Sequence, residues 1–155
     1  MLNTNCLIIV GANPMVSKWS FLQVPNPRKH INAIKDRGGR VIVVDPRRTE
    51  TAYAAGEHLF IRPNSDLYFY LSFLHCLIAT DNIDHDLLAQ HTRGFDELAA
   101  LTKDYSPENT ETLTGIPAQQ LHDLVATYAQ ADGAALYCST GVNMGAQGTL
   151  SLIHI

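Results

Sequence analysis

No CxxC pair occurs in this chain, and its three cysteines, Cys6, Cys76 and Cys138, lie far apart inside apolar segments. A self-contained zinc or iron–sulfur site needs clustered thiolates, so no metal ligand is expected here. The odd cysteine count, without secretory features, fits a reducing compartment, and the three read as plain buried thiols. The histidines are equally scattered. His85 and His91, six positions apart, do not share a helix face, and His30, His58, His122 and His154 show no ligand spacing. His75 falls in an apolar helix and reads as a hydrogen-bonded core or boundary residue, and no serine–histidine–acid or cysteine–histidine set can be argued from the sequence. Basic runs are missing too. None exceeds Arg47-Arg48, and 11 lysines and arginines against 15 acidic residues leave a net charge of −4, without the positive footprint a nucleic-acid partner needs. The longest apolar run, Tyr68 to Ile78, is interrupted by Ser72 and His75 and is too short to span a membrane. The N-terminus lacks the basic start and small-residue cleavage site of a signal peptide, so a cytoplasmic rather than a periplasmic location is the expectation.

What remains is an ordinary globular composition, 46% hydrophobic and 17% charged, which argues against disorder. Cys6–Val10 and Arg40–Val44 are continuous β-branched runs, read as strands buried on both faces. Between them Asn26 is placed to cap a helix over 27–37, Pro27 suits its first position, and Gly38-Gly39 ends it. Strand, helix, strand at this spacing is a βαβ unit with parallel strands and a right-handed crossover. A short third strand is expected over His58–Ile61. A mostly buried helix follows from Ser65 or Asp66 to about Thr80, then helices over 84–91, 95–103 and 117–131. Ala134–Cys138 reads as a late strand entering a glycine-rich loop, residues 139–148. Trp19 and Phe21 read as packing residues. The expected fold is one Rossmann-like α/β domain over residues 1–155, three layers with a mostly parallel sheet flanked by helices. An apolar tail ending at Ile155 predicts a fragment of a larger multidomain protein.

In such a sheet, ligands bind beyond the carboxyl ends of the strands where the strand order reverses. Three loops fit. Gly11-Ala-Asn-Pro14 offers a close backbone approach and, in Asn13, both a donor and an acceptor. Asp45-Pro-Arg-Arg-Thr49 offers a carboxylate for a guanine edge or ribose hydroxyls and guanidinium groups for phosphate. Arg62-Pro-Asn-Ser-Asp66 precedes a helix and suits an anion at its amides or, through Asp66, donors on a base or sugar. Each loop alone could be a turn or a helix cap. Together, at the ends of consecutive strands, they point to a nucleotide-like ligand.

Read in order, Gly11-Ala-Asn-Pro14, Val43-Val-Asp-Pro-Arg-Arg-Thr-Glu-Thr-Ala52 and Ile61-Arg-Pro-Asn-Ser-Asp66 resemble the signature of the molybdopterin oxidoreductases, a family that includes dimethyl sulfoxide reductase, formate dehydrogenase and periplasmic nitrate reductase. Gly94-Phe-Asp, Tyr105-Ser-Pro-Glu, Thr114-Gly-Ile-Pro and Thr140-Gly-Val-Asn follow in the family's order, so the resemblance covers essentially the whole chain. It implies an oxidoreductase carrying bis(molybdopterin guanine dinucleotide) with molybdenum or tungsten, of which this chain is the domain gripping one guanosine and its phosphates. By motif match, Gly11 and Asn13 would line the phosphate side. Asp45, Arg47 and Thr49 would meet the guanosine, with Asp66 on its sugar or base. Gly141, Val142 and Asn143 would approach the pterin. Asn64 stands where the family usually has glycine, and Met144-Gly145 follows the late loop where Gln-His is usual. The family's iron–sulfur cysteine motif and metal-ligand residue would lie upstream, so the resemblance implies the remaining domains of a parent chain, redox partner subunits, no catalytic residue in this segment, and a fragment that by itself is inactive and apo.

Two rival readings remain. A nicotinamide-dependent dehydrogenase would place an acid at Asp45, but Gly11-Ala-Asn-Pro14 lacks the Gly-x-Gly-x-x-Gly spacing and Pro14 removes an amide the pyrophosphate needs. A non-catalytic α/β nucleotide-binding or scaffold module would keep the fold without the cofactor.

Overall fold

The structure, a computed structural model, describes residues 3–18 and 25–152; Trp19, Phe21 and His154 lie outside the described residues. Among these, four strands form one fully parallel sheet in the order β3-β2-β1-β4, with β1 at Cys6–Val10, β2 at Arg40–Val44, β3 at Glu57–Leu59 and β4 at Ala134–Cys138. The β-branched runs that predicted β1 and β2 occupy the two central positions, where both faces need apolar cover. Side chains alternate between faces. Cys6, Ile8, Val10, Ile42 and Val44 pack on one side with Phe69, Phe73, Leu121 and Leu124, while Leu7, Ile9, Val41 and Val43 pack on the other with Ile31, Ile34 and Ala52. The three-layer α/β architecture follows directly. Each fully buried leucine or isoleucine in it contributes about 1.5–3 kcal/mol.

Helix α1 is a single turn, Pro14–Ser17, and α2 runs over Pro27–Asp36, where the Asn26 side chain accepts from the Lys29 amide as the capping signal predicted. Helix α3, Glu50–Ala55, falls in a segment that sequence pattern left unassigned. Its residues Ala52, Ala54 and Ala55 are small enough to lie flat on the sheet, and Thr49 caps it by accepting from the Ala52 amide at 3.2 Å. The third strand is three residues long and shifted from the expected 58–61, because only Ile42–Val44 of β2 pair with it. Beyond Leu59 the chain leaves the sheet, with Phe60 exposed and the Arg62 amide donating to the Thr114 carbonyl.

Helices α4 (Asp66–Ala79), α5 (His85–His91), α6 (Phe95–Thr102) and α8 (Ala118–Gln130) match the expected segments to within a few residues. Helix α7, Pro107–Thr114, was not expected. Its signals are local: Ser106 accepts from the Asn109 amide, Pro107 sits at the first turn, and Gly115 ends it at φ +75°. Its buried face carries threonines rather than aliphatics, and their hydroxyls donate to carbonyls one turn back, as Thr114 does to Thr110. The expected late loop is also partly helical, with α9 at Thr140–Asn143 and α10 at Gly148–Leu152. No helix among the described residues is long and apolar enough to cross a membrane.

Candidate functional site

In the order β3-β2-β1-β4 the chain steps outward from β1 to β3 and then returns to the other side of β1, so the order reverses between β1 and β4. A crevice is expected beyond the carboxyl ends of that pair. The residues that leave the two strands there are Gly11 and Ser139–Gly141. The Gly141 amide donates to the Gly11 carbonyl at 2.9 Å, and the Gly11 amide donates to Val44. A Cβ on Gly11 would lie 2.9 Å from the Val142 nitrogen, and one on Gly141 would lie 2.6 Å from the Gly11 oxygen. Gly11, at φ +56°, is therefore required by contact with the late segment as much as by any ligand.

Two cavities flank this contact, and both are lined by Gly11 and Asp45. The first, about 360 Å³, adds Asn13, Ser17, Arg47, Thr49, Ser139 and Thr140. The second, about 460 Å³, adds Asn64, Asp66, Gly141, Met144, Gly145 and Ala146. Each falls in the range of about 300–1,000 Å³ usual for small-ligand sites. The structure thus brings Gly11, Asn13, Asp45, Arg47 and Thr49 around one space and Gly11, Asp45, Asp66 and Gly141 around its neighbour.

Several of these side chains already have local partners. Both ends of the Asn13 amide reach α3: its nitrogen donates to Glu50 at 2.8 Å, and its oxygen accepts from Thr51 at 2.7 Å. The bond from Asn13, more than the Arg47 guanidinium 3.7 Å away, holds the Glu50 carboxyl below its usual range. Thr49 is buried, and its hydroxyl caps α3. Asp45 accepts from the Arg47 amide at 2.8 Å, and His58 Nε2 donates to the Asp45 carbonyl at 3.0 Å. Of the two neighbouring arginines, Arg47 lines the first cavity, whereas Arg48 lies 4.8 Å over the Tyr53 ring. Arg62 turns away to the Thr112 carbonyl on α7. Burial pushes the Asp66 carboxyl up; its own backbone amide opposes this, and the Asp45 charge adds to it. The second cavity therefore presents two interacting carboxyl groups and no cation among its lining residues. It suits hydrogen-bond donors. The first adds Arg47 and four hydroxyl side chains to the shared Asp45, and beside Arg47 it suits an anion.

The late segment divides differently from expectation. Val142 is 1% exposed and belongs to the core, and Asn143 lines neither cavity. Ser139, Thr140, Met144 and Ala146 line the cavities and were not among the expected site residues. Hydroxyls immediately after a parallel strand were the available signal for the first two.

Outside this site the fold assembles a set that sequence spacing gave no reason to expect. Cys76 on α4 lies 3.6 Å from His122 Nδ1 on α8, and His122 Nε2 donates to Glu108 on α7 at 2.9 Å. The residue types match a nucleophile–base–acid series. The thiol, however, is 3% exposed and raised to about 11 by burial, so the series serves as a clamp between three helices. His75 Nδ1 similarly donates to the Thr102 carbonyl, linking α4 to α6. No group of three metal-ligating side chains occurs among the described residues. A larger cavity of about 610 Å³ lies between α4, α5 and α6, but its lining is mostly aliphatic and it is remote from the strand ends.

No family model matches the chain. Formate dehydrogenase H of Escherichia coli (strain K12) is 32% identical over 146 residues, which is 94% of this chain and 20% of that protein. Dimethyl sulfoxide/trimethylamine N-oxide reductase of Cereibacter sphaeroides is 33% identical over 135 residues, 81% of this chain and 16% of that protein. Acetylene hydratase from Pelobacter acetylenicus superposes over 99% of this chain and 21% of its own, with a TM-score of 0.85 at 21% identity, which shows the fold. The chain spans about a fifth of the length of the curated relatives it matches.

Proposed function

We propose, from the premise that this chain is homologous to one segment of the molybdopterin oxidoreductases, that it forms the part of such an enzyme that holds the guanosine and phosphates of a bis(molybdopterin guanine dinucleotide) cofactor. The observation that carries this reading is the pair of adjoining cavities at the β1/β4 reversal, one with the chemistry for an anion and one with the chemistry for donors. The donor set fits the group. Asp45 and Asp66 would accept from the N–H edge of guanine or from ribose hydroxyls, and Arg47 with the hydroxyl of Thr140 would hold phosphate oxygens. Asn13 and Thr49 would act by shaping the first wall, since their polar atoms are engaged with α3. Gly11 and Gly141 would let the backbone approach the ligand closely where the two cavities meet.

The bound group would supply the redox chemistry through its molybdenum or tungsten. This segment's residues would bind and orient the far end of the cofactor, so the chain by itself is inactive in this reading. Any iron–sulfur cluster, the metal ligand and the substrate pocket would belong to other domains of a parent chain, and redox partner subunits would dock there. A cytoplasmic location goes with the same proposal.

The test is elemental and nucleotide analysis of the parent gene product, expressed in a host that makes the pterin cofactor. Stoichiometric molybdenum or tungsten, with guanine nucleotide released on denaturation, is the expected result. An Asp45→Asn variant should release less guanine nucleotide than an Arg48→Ala variant, because Arg48 lies outside both cavities. A well-folded full-length protein holding neither metal nor guanine nucleotide would overturn the reading in favour of a non-catalytic module, and turnover by the 155-residue chain alone would overturn the claim of inactivity.

A further inference from the structure

Asn64 occupies the left-handed region at φ +69°, a conformation that asparagine tolerates better than other non-glycine residues. Its side-chain oxygen accepts from the Ala146 amide at 2.6 Å, across 82 positions of sequence. The backbone at Gly145 is pressed against the same oxygen, since a Cβ there would lie 2.6 Å from it. Asn64, Gly145 and Ala146 all line the donor-seeking cavity, together with Asp45 and Asp66. One short side chain thus joins the loop after β3 to the segment between α9 and α10, and the junction is a wall of that cavity. It also answers the Ala146 amide, a donor that would otherwise be open to an anion. With that amide engaged, the charged groups among the lining residues are the two carboxyls.

We propose that Asn64 is a positioning residue for the guanosine-binding cavity, holding residues 144–146 against the loop over 62–66 so that the wall is formed before the ligand arrives. This rests on the guanosine reading above. A wall formed in advance removes part of the ordering cost of binding. It also disfavours an anionic fragment in this cavity and leaves the phosphates to the side where Arg47 stands.

The experiment compares wild type with Asn64→Gly and Asn64→Asp in the 155-residue chain, using GDP as the probe. Glycine keeps the backbone conformation and removes the acceptor, whereas aspartate keeps both. Exchange of the Ala146 amide and GDP-induced shifts are followed by NMR, with titration into the millimolar range. Asn64→Gly should speed Ala146 exchange by about three- to tenfold, the range set by one hydrogen bond, and weaken GDP by a similar factor. Asn64→Asp should restore both the Ala146 protection and its amide shift. Unchanged Ala146 exchange in Asn64→Gly overturns the junction, whether or not GDP binds. Faster exchange with undiminished GDP affinity overturns the positioning role alone. Absence of GDP shifts in wild type, with Ala146 protected, overturns the guanosine reading and the role assigned to Asn64 within it, leaving the hydrogen bond as a fold contact.

Discussion

Replacing Gly141 with alanine puts a number on the tightness of the crevice. The added Cβ would sit 2.6 Å from the Gly11 oxygen and 2.8 Å from the Gly11 Cα, and both obstacles are backbone, so no rotamer change relieves them. Overpacking of this kind costs about 1–3 kcal/mol. Moving the two segments apart also weakens the 2.9 Å bond from Gly141 to Gly11, worth about 0.5–1.5 kcal/mol. Alanine restricts the unfolded chain as well, which offsets roughly 0.4–1 kcal/mol of that loss. The expected net destabilisation is about 1–3 kcal/mol, combining these terms. Urea denaturation followed by circular dichroism measures it as a lower midpoint at unchanged slope. Gly38→Asn is the control: Gly38 has φ +85° with no heavy atom within 4 Å of a Cβ, and asparagine tolerates that conformation. It should change stability by less than about 1 kcal/mol. If Gly141→Ala fell within about 0.5 kcal/mol of wild type, the ordinary range for an unconstrained surface change, the crevice would not be closed by backbone contact and the shared wall described above would be wrong.

Three further outcomes follow from local chemistry. Thr49→Ala should cost about 1 kcal/mol through loss of the α3 cap, while Thr49→Ser should retain most of it, both read by the same denaturation assay. Burial, and then the Asp45 charge, raise the Asp66 carboxyl against the lowering effect of its own amide, so the folded state favours the protonated acid. That contribution is fully present below the ordinary aspartate range and is lost as pH rises through the raised value. Asp66→Asn should therefore flatten the pH–stability curve just above that range, and an unchanged curve would show that the carboxyl is not desolvated. Glu108 is held down to about 2, chiefly by the hydrogen bond from His122, so its contribution is present above the ordinary value of 4.5 and lost as pH falls through about 2. The pair is largely exposed, at 42% and 62%, so Glu108→Gln should cost less than about 1 kcal/mol at neutral pH, and a larger loss would mean that solvent does not screen it.

The frame of the fold was legible because parallel strands buried on both faces leave a continuous apolar run, as Leu7–Val10 and Val41–Val44 do. Asn26 and Pro27 then marked the helix between them. The elements that escaped have weak patterns for identifiable reasons. Helix α3 packs through alanines and α7 through threonines, so neither shows an aliphatic stripe, and α1 and α9 are single turns whose residues also suit loops. The loops of the site were legible because their chemistry is concentrated in few residues after each strand. The partners of those residues were not. Nothing in the spacing shows that Asn13 is engaged by Glu50 and Thr51, that Arg48 lies on Tyr53, or that Val142 faces the core, since each depends on helices that sequence left undrawn. The Cys76–His122–Glu108 series is a sharper case, because its members come from three separate helices and share no sequence interval.

The abutment of Gly11 and Gly141 sets backbone against backbone where the two chambers of the crevice adjoin. A ligand fragment that displaces Gly11 or the Asp45 side chain in one chamber changes the shape of the other, because both residues line the two. Occupancy of the two halves is then linked, and linkage is reciprocal: whatever factor an occupant of one chamber applies to the affinity of the other, the second applies to the first. A molecule that fills both chambers meets this coupling within a single binding event, whereas two separate fragments meet it one after the other.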